Sequence, residues 1–404
     1  MGVTQALRQG SVEDAVDGVV PPVVAVPERP EELAQVLAAA TLDKQLTVLR
    51  GGASKLGWGR PPDRVDLVIT TEKLNALVAH RHGDMTVTAQ AGMPLTRLNG
   101  LLAEHGQHLP VESAFANATV GGIVATNDAG PMRYRFGTPR DLLIGVTLAM
   151  TDGRLVNAGG TVVKNVAGYD LGKLVSSSHG TLAAIVDVTF KLLPVPHASK
   201  TLVATYADGK ALAHDVAVLH GSQVEFTAFD ISLSDQGRSL LLMRMASSPA
   251  ATDAQASQAR QLVSSAPTMV SGEEERALWD EQIRAPWSEA GTVVRFSWLP
   301  SNLAAVFSLF DRVRANGCRV AMFTGRTSGA GFVRFDGEDS VVAGAIGVLR
   351  SSEHVGHVVV VRASRRLKEQ VDVWGPATGA SEVARLLKRK FDPAGILNAG
   401  RGPI

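Results

Sequence analysis

The reading starts from RGGASKLGWG (Arg50 to Gly59) and continues through PVESAFANATVGGIVATNDAG (Pro110 to Gly130), YRFGTPRD (Tyr134 to Asp141), KNVAGYDLGKL (Lys164 to Leu174) and SSHGTLAAIVDVTFKLLP (Ser177 to Pro194). Each glycine turn lies beside a run that reads as a strand or a short helix. Glycine reaches positive φ and carries no side chain, so such turns let the backbone approach a ligand and aim N–H groups at it. One turn would say little. A series of them points to one long, anionic ligand threaded between two lobes.

The totals frame this reading. A chain of 404 residues exceeds one ordinary core and suggests at least two domains. Apolar residues make up 45% and charged residues 20%, as in soluble globular proteins. With a net charge of +1, nothing points to nucleic acid or to an anionic membrane surface. The single cysteine, Cys318, excludes an internal disulfide and a four-thiolate iron–sulfur cluster within this chain. A cytoplasmic setting is expected. MGVTQALRQGSVEDAV (Met1 to Val16) does not read as a signal peptide. No apolar run reaches the roughly 18 residues of a spanning helix, so no direct membrane insertion is expected and any membrane association would come through partners.

Strands and helices alternate up to about residue 195, which argues for α/β or α+β. Pro30 to Thr41 reads as a helix with Leu33, Val36, Leu37 and Ala40 on one face. Leu46 to Leu49 is a strand running into the first glycine turn, and Ala183 to Leu193 is a long strand. Pro194-Val195-Pro196 marks a boundary. The expected organisation is a lead-in (1–20), a first domain (21–195), a second (196–380) with an antiparallel sheet covered by helices, and a C-terminal helix and tail (381–404) returning to the first. That last helix carries Val383, Leu386, Leu387 and Phe391 on one face. No internal repeat is legible.

Several familiar sites fail. No G-x-G-x-x-G follows a strand, which argues against a dinucleotide-binding Rossmann unit. AGYDLGKL imitates a P-loop, but Ala167 and Leu174 replace the required Gly and Ser/Thr. GASKL imitates a nucleophile elbow with Leu56 in place of its last Gly. His105 and His108 are three apart, as are His354 and His357, but the sequence identifies no third ligand, and no metal site is assigned.

The turns themselves are more informative. In RGGASK, the N–H groups of Gly51 and Gly52 could form an anion nest after a strand. In ATVGGIVATNDAG, Gly121 and Gly122 open a short helix whose N-terminus suits phosphate, and Asn127 can adopt a left-handed conformation or read a ligand amide. In SSHGTLAAIV, Gly180 lets the chain pass near a flat ring that Ile185 could bond through main-chain groups. A hairpin turn, or a helix packed closely on a sheet, would use the same glycines. The order and spacing of all three carry the argument.

These segments resemble the FAD-binding fold of the vanillyl-alcohol oxidase and p-cresol methylhydroxylase family. The resemblance implies an α+β protein: a two-lobed FAD-binding domain and an α+β cap with an antiparallel sheet. It implies that Arg50, Gly51, Gly52, Ala53, Ser54, Lys55 and Leu56 hold the pyrophosphate. Pro110, Thr119, Gly121, Gly122 and Asn127 follow as cofactor-binding positions, and Ser178, Gly180, Thr181 and Ile185 flank the flavin. KNVAGYDLGKL, GHVVVVRASRRLKEQVDVWGP (Gly356 to Pro376) and FDPAGILNAGR (Phe391 to Arg401) are further similar to the second FAD-binding subunits of bacterial glycolate oxidases.

That similarity implies oxidation of a small 2-hydroxy acid such as glycolate. The partners would be a catalytic FAD subunit and an iron–sulfur subunit. Covalent family members attach flavin through a His in the first loop. This loop has Ala53, Ser54 and Lys55, so noncovalent FAD is implied. The H-x-G-D-G-N-x-H motif of related catalytic dehydrogenases does not occur, which argues against this chain as the main oxidation site. A hydroxy acid still needs a base and a carboxylate-binding cation, and His357 with Arg326 or Arg295 could supply them. A packing His and solvated arginines are the plainer reading. The alternatives are a self-sufficient FAD-dependent 2-hydroxy-acid dehydrogenase and a non-catalytic flavoprotein scaffold.

Overall fold

A computed structural model describes residues 7–160, 169–234, 237–377 and 379–402. Residues 164–168 of the KNVAGYDLGKL segment lie outside the described residues. The chain divides into two compact units: Met1–Ala129, Gly137–Val195 and Pro376–Ile404 form the first, Gly130–Phe136 and Pro196–Gly375 the second.

The first unit holds two main sheets. In one, Val23–Ala25 and Thr47–Arg50 flank Leu67–Thr70 in parallel, and Leu7–Gln9 adds an antiparallel edge. Helix Pro30–Leu42 connects the two flanking strands, whose shared direction requires the chain to cross back between them. Pro30 presets its first turn, Glu31 and Glu32 suit its N-terminal dipole, and Leu33, Ala34, Val36, Leu37 and Ala40 are buried. The other sheet is antiparallel, in the order Leu77–Arg81, Thr86–Gln90, Ala184–Lys191, Leu143–Ala149, Leu155–Gly159. Its core includes Val87, Leu98, Ile123, Val188 and Phe190.

The tail of the chain belongs to this unit. Thr47 donates its amide to the Ile396 carbonyl at 2.9 Å, and Asn398 donates to the Thr47 carbonyl at 2.8 Å. Ile396 and Leu397 are fully buried. Helix Ala380–Phe391 precedes them, but the face expected from its apolar spacing is not a core face. None of its residues is buried, and Val383 and Leu386 are 58% and 53% exposed. Its anchor is polar. Lys388 Nζ lies 2.5 Å from Asp392 Oδ2 and donates to the carbonyls of Thr181 (2.8 Å) and Leu397 (2.7 Å). Asp392 also accepts the amides of Ile396 and Leu397. Burial lowers the Lys388 pKa against the raising effect of Asp392.

The second unit contains a repeat that the sequence does not display. Ala198–Tyr206, helix Gly209–His220, Ala228–Ser234, Ser239–Ser247, helix Pro249–Leu262 and Thr268–Ser271 make one β-α-β-β-α-β pass. Thr292–Trp298, helix Leu303–Ala315, Arg319–Arg326, Ala330–Asp336, helix Asp339–Arg350 and Val355–Arg362 make a second. The second strands of the two passes, Ala228–Ser234 and Arg319–Arg326, pair antiparallel and join them into one eight-stranded sheet. The four helices bury residues such as Val216, Ala259, Phe310 and Ile346 on one face of it. On the other face Trp279 packs on Ala228 and Leu242, and its indole donates to Thr201 Oγ1 at 2.9 Å.

The Asp392 side chain is fully buried and that of Lys388 is 19% exposed, so removing the carboxylate strands a largely buried ammonium, at a cost of about 3 kcal/mol. Asp392→Ala therefore lowers stability by about that much, and a denaturant titration checks it. A change below ~0.5 kcal/mol, the scale of ordinary surface substitutions, would show that the tail is anchored otherwise.

Candidate functional site

The first glycine turn begins where strand Thr47–Arg50 ends. Its glycines are needed for closeness rather than for left-handed backbone. Gly51 and Gly52 do not have positive φ, and the turn's left-handed residue is Ala53, at φ 59°. A Cβ on Gly51 would overlap the Thr119 hydroxyl, and one on Gly52 would overlap the Asn117 carbonyl oxygen. Asn117 Nδ2 donates to the Gly52 carbonyl, so the two segments are bonded as well as packed. Among the described residues, no protein acceptor takes the amide hydrogens of Gly51, Gly52, Ala53, Ser54 or Lys55. A run of free amides in one turn is an anion-binding concavity.

The helix Val120–Thr126 behaves differently from expectation. Thr119 caps it, accepting from the Gly122 amide at 3.3 Å. Val120 and Gly121 donate to the carbonyls of Met93 and Ala91, both at 2.9 Å. Its first N–H groups are thus taken within the protein. Gly121 is required by packing, since its Cβ would sit 2.6 Å from that of Ala91.

One open cavity joins these parts. It is lined by Arg50, Gly51, Gly52, Ala53, Ser54, Lys55, Leu56, Thr119, Gly121, Gly122, Gly180 and Ile185. Pro110, Asn127, Ser178 and Thr181 do not line it. Asn127 is the left-handed C-cap of its helix, and its Oδ1 accepts from the Arg140 amide at 3.2 Å. Thr181 bonds the Ser178 carbonyl. Ser178 Oγ is buried without a hydrogen-bond partner among the described residues.

Sequence reasoning missed the contribution of the tail. Asn398 and Arg401 line the cavity, as does His179. Asn398 Nδ2 donates to the His179 carbonyl at 2.7 Å. Arg401 donates to the carbonyls of Leu56 and Trp58, holding the far end of the first turn. The LNAGR run was the available signal, but it reads as a plain turn. Ser177 and His179 have positive φ, a concentration of backbone strain beside the cavity, and Gly180 shares that conformation without strain.

The cations around the cavity are engaged. Arg50 pairs with Asp14 at 2.6 Å, and Asp14 also binds Arg8. The hydrogen bond from Arg8, against the effect of burial, holds the Asp14 carboxyl well below its usual range. Lys55 pairs with Asp128 at 2.9 Å, both nearly buried, beneath the Phe115 ring. An anion bound here would be met mainly by backbone amides. A pyrophosphate suits that donor set, each charge-assisted bond being worth roughly 1.5–3 kcal/mol.

In the second unit, Arg326 and His357 are not brought together. Arg326 is buried, with Nε 3.9 Å from Asp230 Oδ2 and its guanidinium over Phe332. His357 is exposed, at φ 49°. The register Arg326–Ala330–Ser297–Gly356 puts them three strands apart, about 14 Å at roughly 4.8 Å per strand. Arg295 lies on the strand Thr292–Trp298 between them.

Residues 21–159 match a family model described as FAD binding domain. This region is an FAD-binding domain. The chain is 34% identical over 172 residues to a D-lactate dehydrogenase of Archaeoglobus fulgidus, covering 43% of this chain and 39% of that one. It is 35% identical over 174 residues to glycolate oxidase subunit GlcE of Escherichia coli, covering 43% and 49%. It is 28% identical over 205 residues to glycolate oxidase subunit GlcD of Bacillus subtilis, covering 50% and 44%. The chain thus spans less than half the length of these curated relatives. A solved alkyldihydroxyacetonephosphate synthase superposes with a TM-score of 0.74 at 15% identity, over 99% of this chain and 84% of that one. The fold is α+β and of the expected vanillyl-alcohol oxidase and p-cresol methylhydroxylase type.

Gly52→Ala forces the first turn away from Asn117 and should lower FAD affinity about tenfold or more, the equivalent of one lost hydrogen bond. Gly122→Ala, whose Cβ meets only Thr119 Oγ1 at 3.2 Å, should keep most of it. Flavin titration of the two variants decides; full affinity in Gly52→Ala would contradict the geometry.

Proposed function

We propose that this chain is a noncovalent FAD subunit of an assembly that oxidises a small 2-hydroxy acid, such as glycolate, to the 2-oxo acid. The carrying observation is the run of free amides from Gly51 to Lys55 at the strand end of an FAD-binding domain. These amides and Ser54 would hold the pyrophosphate. Ile185 and the His179–Gly180 backbone would border the flavin, and Asn398 and Arg401 would fix that border. Bound FAD would supply the two-electron acceptor, while the protein supplies position and electrostatics. The likeness to proteins named glycolate oxidase subunits and D-lactate dehydrogenase supports the substrate class.

Electrons would pass on to partner subunits, one a catalytic flavin subunit and one carrying iron–sulfur clusters. The separation of Arg326 from His357, and the engagement of Arg326 with Asp230, support a role that depends on partners. The assembly is proposed as cytoplasmic, reaching a membrane only through partners. Among the described residues, no helix is long and apolar enough to cross one.

Acid precipitation of the full chain should leave all flavin in the supernatant; flavin in the pellet would contradict noncovalent attachment. Under anaerobic conditions, glycolate or D-lactate should leave the flavin band of the isolated chain oxidised and bleach it once co-purified partners are present. Bleaching of the chain alone would overturn partner dependence and favour a self-sufficient dehydrogenase. A chain that takes up no FAD would overturn the whole reading.

A further inference from the structure

Three histidines that do not line the flavin cavity come together at one end of the antiparallel sheet of the first unit. His80 is the penultimate residue of strand Leu77–Arg81, and His82 opens the short turn His82–Asp84 that leads to strand Thr86–Gln90. His105 lies just beyond helix Leu95–Ala103, in the turn closed by Gly106 at φ 64°. The ring centroids are 4.1 Å apart for His80–His82, 3.8 Å for His82–His105 and 5.2 Å for His80–His105. One nitrogen from each ring lies within 4.8 Å of the other two. The sequence spacing pairs His105 with His108; the fold gives it two other partners.

The buried side chain of Gln107 organises the cluster. Its Nε2 donates to the His82 carbonyl at 2.9 Å, which fixes the orientation of the amide. Its Oε1 then faces His80 Nε2 at 2.9 Å and can only accept, so His80 Nε2 carries the hydrogen. The lone pair of that ring is therefore on Nδ1. A neutral imidazole fixed by a hydrogen bond from its other nitrogen is the arrangement found around ligating histidines. His82 and His105 are exposed, so their rings can rotate inward without disturbing the core.

We propose that His80, His82 and His105 form a site for a borderline transition-metal dication of the zinc type, with Gln107 as the positioning residue. Three imidazoles and a water complete a tetrahedral set at Zn–N distances of about 2.0–2.1 Å. An all-nitrogen donor set favours Zn²⁺, Co²⁺, Ni²⁺ or Cu²⁺ over Mg²⁺ and Ca²⁺, which take oxygen ligands. The ion would clip the hairpin turn at His82 to the turn after helix Leu95–Ala103, and so stabilise the folded state by mass action.

The test uses the full chain, stripped with a chelator and titrated calorimetrically with Zn²⁺, with thermal melting followed in parallel. One Zn²⁺ binds per chain, raises the melting temperature, and is removed by EDTA without change to the flavin spectrum. His82→Ala or His105→Ala, both at exposed positions, weakens binding at least ~10-fold, and Gln107→Leu weakens it by roughly 10–100-fold, as loss of an outer-shell partner does. His354→Ala and His357→Ala leave it unchanged. Binding that persists in His82→Ala and His105→Ala, binding of Mg²⁺ equal to that of Zn²⁺, or no heat with Zn²⁺ would each overturn the proposal.

Discussion

The cavity depends on the close passage of Gly51 and Gly52 over Asn117 to Thr119. Two backbones meet there with no room for a side chain on one of them. This contact fixes the turn at the end of a parallel strand, where, among the described residues, the amides from Gly51 to Lys55 meet no protein acceptor. The neighbouring helix contrasts with it, because Met93, Ala91 and Thr119 take its leading donors. Donors that the protein satisfies build the scaffold, and donors that it leaves free are available to a ligand.

The tail supplies the other side of the same construction. Lys388 and Asp392 form a nearly buried pair whose remaining hydrogen-bonding capacity goes to the Thr181 and Leu397 carbonyls and to two amides. Such a pair is tolerable in an apolar setting because so many of its polar atoms are bonded. It sets the path from Ile396 to Arg401, which brings Asn398 to the His179 carbonyl and Arg401 to Leu56. Residues nearly 350 positions apart thus hold one turn, as Arg401 and Leu56 do.

Much of the fold was legible because it rests on local signals. Pro30, the acidic first turn and the spacing of Leu33, Val36, Leu37 and Ala40 identify the crossover helix. The glycines at 51, 52 and 121 were legible as markers of a site, though the reason they are needed is non-local packing that no spacing reveals. The spent helix N-terminus was not legible, since its acceptors come from Ala91 and Met93 on another segment. The same holds for Asn398 and Arg401, whose roles depend on where the chain returns. The two β-α-β-β-α-β passes escaped notice because they share topology and pattern rather than residues. The last helix misled because its apolar spacing is genuine, while Lys388, not Val383 or Leu386, anchors it.

The most direct test compares FAD with riboflavin as ligands of the apo chain. If backbone amides from Gly51 to Lys55 hold a pyrophosphate, two charge-assisted bonds at about 1.5 kcal/mol each give FAD an advantage on the order of 100-fold in affinity. Equal affinities for FAD and riboflavin would contradict the account.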